Sequence, residues 1–207
     1  MTNNHFIIGI CGGSGSGKTT LLKRLSNYYA DQKPTIFSMD NYYRPKQEQF
    51  VDENGEINFD LPTALKTEQL FDDFNQLING NSIEVIEYHF NTPDKKNVLI
   101  TLEPSPIIII EGLFLFHYKE IREKLDYGIF VDVDLQVQLD RRIYRDQETR
   151  GYSREAIMYQ WNHHVMPCFN NYLLPYKDQS DFIFLNESQA DEEFKRLTED
   201  LDQRIVL

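Results

Sequence analysis

Residues 12–19 read Gly-Gly-Ser-Gly-Ser-Gly-Lys-Thr, and the apolar run Phe6–Cys11 leads directly into them. This is the G-x-x-x-x-G-K-T pattern of a phosphate-binding loop between a strand and a helix. Its glycines let consecutive backbone N–H groups approach a polyphosphate, and the following helix points its positive end at the same anion. The sequence therefore predicts a binding site for a nucleoside triphosphate.

Two side chains of this loop have chemical roles of their own. Lys18 offers a mobile charge to the β- and γ-phosphates, and the hydroxyl of Thr19 is placed to coordinate Mg²⁺. The apolar spacing after the loop predicts a helix over Lys18–Ala30. The predicted nucleotide-binding residues are Gly12, Gly13, Ser14, Gly15, Ser16, Gly17, Lys18, Thr19 and Thr20.

Apolar runs alternate with helical stretches along the chain, which predicts a parallel sheet covered on both faces. The fold class is α/β, a three-layer P-loop NTPase sandwich with a five-stranded parallel sheet. The predicted strands are Phe6–Cys11, Thr35–Met39, Ile107–Ile110, Tyr127–Val133 and Phe182–Leu185. The predicted helices after the first are Thr63–Ile78, Leu135–Thr149, Ser153–Tyr172 and Ser188–Ile205, the last opening with a capping box of Ser188 and Asp191.

Two segments interrupt this alternation within what we expect to be one domain over residues 1–207. Residues 83–102 contain two β-rich runs and predict an inserted hairpin. Such an insertion is either a simple excursion or a wall of the acceptor pocket, and we favour the wall. Residues 140–154 are rich in arginine and form the second segment.

The overall composition indicates which binding partners and which cellular location to expect. The net charge of −12 argues against nucleic acid or an anionic membrane as the main partner. The two cysteines are too few for a disulfide framework, and the N-terminal residues do not resemble a signal peptide. We therefore expect a cytoplasmic protein that binds small molecules.

Carboxylates follow two of the predicted strands at the sheet edge where ligands bind in open parallel sheets. Asp40 could accept a hydroxyl proton or hold Mg²⁺, or it could only cap a turn. Glu111 follows the Ile107–Ile110 run and is a second candidate for Mg²⁺. Asp132 and Asp134 lie after the next strand and are interpreted as structural or capping residues.

Arginines are concentrated in one stretch of this acidic chain. Between Arg141 and Arg154 there are five arginines against two acidic residues, Asp146 and Glu148. A cluster of guanidinium groups is suited to bind an anion. The alternative is a solvated helix face whose arginines pair with the two acids.

Six ordered motifs together resemble the uridine kinase family over almost the whole chain. They are residues 12–20, Met39-Asp40-Asn41-Tyr42-Tyr43-Arg44, residues 58–62, Tyr88-His89-Phe90, Ile110-Glu111-Gly112, and residues 141–146 with Arg150-Gly151. The resemblance implies phosphoryl transfer from ATP, or GTP, to the 5′-hydroxyl of uridine or cytidine, with Mg²⁺. Members of this family are often tetrameric, so a homo-oligomer is an alternative to a monomer.

The resemblance also implies roles for individual residues. Asp40 would be the general base, and Asp60 would contact the ribose hydroxyls. Residues 140–154 would form a helical lid whose arginines close over the phosphates together with Lys18. The implied lid residues are Arg142, Arg145 and Arg150, and the implied nucleoside-binding residues are Tyr43, Asp60, Tyr88, Phe90 and Gln160.

Two positions depart from the family pattern, and they leave the acceptor open. Pro93 stands where members typically carry a base-reading histidine, and Tyr152 stands where the lid typically has a second arginine. Related kinases of nicotinamide riboside, pantothenate or ribulose 5-phosphate are therefore alternatives. A non-enzymatic nucleotide switch is another, but a switch would hydrolyse its nucleotide slowly without any acceptor.

Overall fold

The computed structural model describes residues 5–88 and 98–205. Its strands are β1 (Phe6–Gly12), β2 (Thr35–Ser38), β3 (Phe50–Val51), β4 (Ile57–Asn58), β5 (Ile83–Ile86), β6 (Leu99–Leu102), β7 (Ile107–Glu111), β8 (Tyr127–Asp132) and β9 (Phe182–Leu185). Its helices are α1 (Lys18–Tyr28), α2 (Thr67–Ile78), α3 (Lys119–Arg122), α4 (Leu135–Arg150), α5 (Arg154–Gln160), α6 (Met166–Cys168) and α7 (Ala190–Arg204).

The main sheet has five parallel strands in the order β2-β7-β1-β8-β9. Successive isoleucines of β7 alternate between the two faces, with Ile108 and Ile110 in one apolar cluster and Ile107 and Ile109 in the other. All four are fully buried because helices cover both faces. The predicted three-layer α/β sandwich is confirmed.

Two predicted helix starts are wrong. Pro62–Ala64 forms a separate 3₁₀ turn, so α2 begins at Thr67. Helix α7 begins at Ala190 after the N-cap Gln189, which makes no side-chain capping bond. Asp191 therefore lies one position too early to complete a capping box, which needs the third residue after the cap.

The predicted helix Ser153–Tyr172 is not one regular α-helix. After α5 the chain forms π-helical turns at Trp161–Val165 and Phe169–Leu173 on either side of α6. Pro167 lies in α6 and has no backbone N–H to donate, and wider turns absorb such an interruption. Trp161 and His164 of the first π-helical segment are buried.

Two small antiparallel ladders lie outside the main sheet. Strands β5 and β6 pair Ile83 with Leu102, as expected for the inserted hairpin, while residues 89–97 lie outside the described part of the chain. Strands β3 and β4 form a second, unpredicted hairpin around Gly55, which has φ of 83°. Across residues 5–88 and 98–205 we find no helix with the length and apolar character needed to span a bilayer.

Candidate active site

The phosphate loop connects β1 to α1 and requires glycine at two positions. Gly15 has φ of 83° and Gly17 has φ of 100°. A Cβ atom at Gly15 would lie 2.6 Å from the backbone carbonyl oxygen of Gln138, and one at Gly17 would meet the side-chain amide nitrogen of Asn186. Both the backbone conformation and the close packing of neighbouring elements exclude larger residues here.

Lys18 begins α1 and its side chain curls over the loop. Its Nζ donates to the carbonyl oxygens of Gly12 and Gly13 at 2.9 and 3.2 Å. Asp134 caps the next helix of the site, α4, by accepting from the backbone N–H groups of Gln136 and Val137. Asp132 instead pairs with Lys177 at 2.6 Å, so both aspartates have structural roles, as predicted.

One cleft of about 350 Å³ brings most of the predicted site residues together. Gly12, Gly13 and Ser16 belong to the loop but do not line this cleft, and Phe90 lies outside the described residues. The predicted residues that line it are Ser14, Gly15, Gly17, Lys18, Thr19, Thr20, Asp40, Tyr43, Asp60, Tyr88, Glu111, Arg142, Arg145, Arg150 and Gln160.

Asp40 and Glu111 are neighbours because β2 and β7 pair in parallel, with Ser38 opposite Glu111. The Ser38 hydroxyl donates to Glu111 Oε1 at 2.6 Å, and the backbone N–H of Asp40 donates to the Ser38 oxygen at 3.3 Å. Burial raises the pKa of Glu111 to about 7, and the charge of Asp40 adds to this rise while Lys18 and Ser38 oppose it.

Asp40 itself is exposed to the open cleft, yet protein surrounds it on its other sides. Desolvation by these walls raises the pKa of its carboxyl, and the positive charges of Lys18, Arg150 and Arg145 oppose the rise. A carboxylate with a raised pKa that faces three cations and an open cleft is suited to accept a proton there.

We expect Glu111→Gln to change how stability depends on pH. The pKa of Glu111 rises from 4.5 to about 7 on folding, so the folded state binds more protons between these values. The free energy of unfolding therefore falls as the pH rises through this window, by roughly 3 kcal/mol from this group. The Gln side chain cannot ionise, so the variant should not lose stability as the pH rises through this window. Its amide oxygen can still accept a hydrogen bond from Ser38.

Urea unfolding at about pH 5 and about pH 8 in metal-free buffer measures this difference. The exposed strand residue Glu84 provides the matched control, because Glu84→Gln should leave the wild-type pH dependence intact. If the free energy of unfolding of Glu111→Gln falls as much between about pH 5 and about pH 8 as that of the wild type, then folding does not raise the pKa of Glu111.

Aromatic side chains form part of the wall of the cleft. The ring centroid of Tyr43 lies 5.5 Å from that of Tyr88 and 6.2 Å from that of Phe59. The side chain of Asn41 accepts from the backbone N–H of Tyr88 at 3.0 Å, which ties the inserted hairpin to the turn that carries Asp40. Asp60 adds a carboxylate to this wall.

Asp146 organises the lid arginines from a fully buried position. Its Oδ1 atom contacts Arg145 Nε at 2.8 Å and Arg150 Nη1 at 3.0 Å, and its Oδ2 atom lies 3.4 Å from Arg142 Nε. Arg142 also donates to the Ser14 hydroxyl and to Gln160 Oε1, both at 2.9 Å. Because Arg142 and Asp146 are buried, this pair is not part of a solvated helix face, whereas Arg145 and Arg150 are partly exposed.

Several residues of the cleft wall were not predicted from the sequence. Phe59 and His164 line the cleft, and Ser38 supports the Asp40–Glu111 pair. Arg141 also lines it and donates to the carbonyl oxygens of Ser16 at 3.4 Å and Asn186 at 3.0 Å. For Arg141 and Phe59, a sequence signal was present, because each adjoins a residue that was predicted.

Comparison with known proteins identifies the family of the chain. The model of the phosphoribulokinase / uridine kinase family matches residues 7–192. A uridine kinase of Staphylococcus haemolyticus is 34% identical over 180 residues, covering 87% of each chain. A uridine-cytidine kinase B of Dictyostelium discoideum is 34% identical over 190 residues, covering 88% of this chain and 78% of the relative.

Solved structures share the fold at lower identity. A possible uridine kinase from Bacillus stearothermophilus has a TM-score of 0.62 at 21% identity, covering 89% of this chain and 90% of its own. The phosphoribulokinase from Rhodobacter spheroides has a TM-score of 0.66 at 17% identity, covering 89% and 71%. With the family model matching most of its length, the chain belongs to the phosphoribulokinase / uridine kinase family.

Proposed function

We propose that this protein is a kinase that transfers the γ-phosphoryl group of ATP to the 5′-hydroxyl of uridine or cytidine. The observation that carries the proposal is the composition of one cleft. The cleft is lined by phosphate-loop residues with Lys18, by Asp40, and by the aromatic side chains of Tyr43, Phe59 and Tyr88 together with Asp60 and Gln160. The cleft therefore offers groups that can bind the donor phosphates, a carboxylate that can act as general base, and aromatic and polar side chains that can bind a nucleoside.

The donor side provides charge compensation for a triphosphate. Phosphoryl transfer has a loose transition state with charge on the γ-oxygens, so positioning and cations account for most of the catalysis. In this proposal the loop backbone binds the β-phosphate, and Lys18, Arg145 and Arg150 face the γ-phosphate. ATP is the proposed donor, with GTP as the alternative, because the loop recognises phosphates and not the base.

Mg²⁺ fits the oxygen donors of the cleft. The hydroxyl of Thr19 and the carboxylates of Glu111 and Asp40 are hard oxygen ligands in its wall, and Mg²⁺ prefers such ligands together with phosphate oxygens and water. Burial of Glu111 and the nearby charge of Asp40 both raise the pKa of Glu111, so a cation beside the two carboxylates would be stabilised. When bound, Mg²⁺ would neutralise charge on the phosphates.

The acceptor side orients a hydroxyl and removes its proton. The acceptor oxygen forms a bond to the γ-phosphorus, the bond from that phosphorus to the β–γ bridging oxygen breaks, and ADP leaves. Asp40 accepts the hydroxyl proton in this scheme. Tyr43, Tyr88 and Phe90 would flank the base, while Asp60 and Gln160 would bind polar groups of the nucleoside.

The same proposal assigns roles to larger segments. The chain acts as one kinase domain over residues 1–207, residues 83–102 shape the acceptor site, and residues 140–154 close over the phosphates as a lid. A cytoplasmic location is part of the proposal and is supported by the two buried cysteines, Cys11 and Cys168, which are both free thiols.

ADP release measured against a panel of acceptors tests the proposed function. The panel contains uridine, cytidine, purine nucleosides, nicotinamide riboside, pantothenate and ribulose 5-phosphate, each with ATP and Mg²⁺. We expect ADP only when uridine or cytidine is supplied. A signal with another acceptor alone would overturn the substrate assignment, and acceptor-independent ADP release would overturn the kinase assignment.

A further inference from the structure

Asp52 connects the unpredicted β3–β4 hairpin to the helices that follow the lid. Its Oδ1 atom accepts from the backbone N–H groups of Asn54 and Glu56, both at 2.9 Å, which closes the hairpin turn. Its Oδ2 atom accepts from the Tyr159 hydroxyl at 2.7 Å and from His164 Nε2 at 2.8 Å. One carboxylate thus joins two segments that are 112 residues apart in sequence.

His164 is the buried end of this connection. Its side chain is only 2% exposed, against 14% for Asp52, and it lies in the wall of the cleft. Desolvation opposes ionisation of Asp52, but the hydrogen bonds from Tyr159, His164, Glu56 and Asn54 outweigh it and lower its pKa well below its usual range. An ionised carboxylate only accepts hydrogen bonds, so His164 Nε2 carries a proton.

The two connected segments each supply one polar group to the acceptor wall. Strand β4 leads directly to Asp60, whose backbone N–H is fixed by the side chain of Asn58 at 2.8 Å. On the other segment, Gln160 precedes His164 by four residues and accepts from Arg142 at 2.9 Å. A hydrogen bond between the segments therefore determines how far apart Asp60 and Gln160 stand.

We propose that Asp52, Tyr159 and His164 form a clamp that sets the width of the acceptor site, with His164 as a positioning residue for acceptor binding. The proposal rests on the proposed function, because it assumes that the acceptor lies between Asp60 and Gln160. In the phosphate loop, Lys18 donates to the carbonyl oxygens of Gly12 and Gly13, and Asn186 donates to that of Ser16. None of these contacts involves the clamp, so we expect the clamp to act mainly on the acceptor.

Steady-state kinetics of His164→Phe and His164→Gln tests the clamp. Phe keeps a ring of similar size without a donor, whereas the Gln amide can place an N–H near the position of Nε2. We expect His164→Phe to raise the KM for the acceptor about tenfold, equivalent to about 1.4 kcal/mol, while the KM for ATP stays within about twofold. His164→Gln should recover most of the lost acceptor affinity, and Asn162→Gln at a neighbouring exposed position is the matched control.

Tyr159→Phe is a milder second variant, because it keeps the ring and the His164–Asp52 bond while it removes a hydroxyl that donates to Asp52 and accepts from Asn54. Should His164→Phe fail to fold, Tyr159→Phe carries the same test, with a smaller rise in the acceptor KM expected. Equal rises in both KM values, or a Gln variant no better than the Phe variant, would overturn the clamp and leave a structural role only.

A measurement without acceptor separates this proposal from the proposed function. In protein with ¹⁵N-labelled histidine, the Nε2 proton of His164 should give a downfield signal protected from exchange with water. The signal should disappear in His164→Gln and in Asp52→Asn. If the wild-type protein gives this signal but phosphorylates no nucleoside, the result contradicts the proposed function and not the clamp. If the wild-type protein gives no such signal, the result contradicts the clamp and not the proposed function.

Discussion

Asp40→Asn should lower turnover about 10³-fold while ATP binding changes little, because general base catalysis contributes on the order of 10²–10⁴. The Asn side chain keeps the size of Asp40 but cannot accept the acceptor proton. Asp40 is exposed to the cleft and interacts with the positive charges of Lys18, Arg150 and Arg145. Glu111 is close, but it is buried and already accepts from Ser38.

Single-turnover kinetics and ATP binding by calorimetry together test this expectation. Asp72→Asn on the exposed face of α2 is the matched control, and it should leave both measurements unchanged. The acid limb of the wild-type pH profile should belong to the Asp40–Glu111 pair and should shift in Asp40→Asn. An Asn variant with near-normal turnover would assign the proton to another acceptor and remove Asp40 from the proposed mechanism.

The sequence predicts the donor half of the site well because that half depends on local rules. A strand, a glycine loop and a helix are adjacent in the chain, and the carboxyl ends of parallel strands necessarily meet at one edge of a sheet. The positions of Asp40 and Glu111 in one cleft follow from these two rules. The family resemblance adds Tyr43, Asp60 and Gln160, which the structure brings to the same cleft.

The acceptor half depends on contacts that no local pattern reveals. Strands β3 and β4 have two residues each, too short for a periodic signal, and only the turn dipeptide Asn54-Gly55 indicates the hairpin. The bond from His164 to Asp52 joins residues far apart in sequence. The sequence spacing also does not predict that Asp146 is buried, because its burial arises from the packing of α4 against neighbouring elements.

Arg145→Ala should also lower turnover by about 10³-fold, the effect expected when an arginine that stabilises the transferring phosphoryl group is lost. Asp146 holds Arg145 through its Nε atom, which leaves the terminal guanidinium nitrogens on the side of the cleft that Arg145 lines. The loss should fall mainly on kcat, since the charge on the γ-oxygens that this arginine faces develops in the transition state.

Arg145→Lys separates charge from geometry at this position. Lysine keeps a positive charge but cannot hold Asp146 and a phosphate with one planar group, so we expect it to recover only part of the lost turnover. Arg154→Ala is the matched control, because Arg154 belongs to the same arginine-rich stretch but is exposed at the start of α5. If Arg145→Ala lowers turnover no more than Arg154→Ala does, then Arg145 only balances the charge of Asp146, and Arg142 or Arg150 must face the transferring group instead.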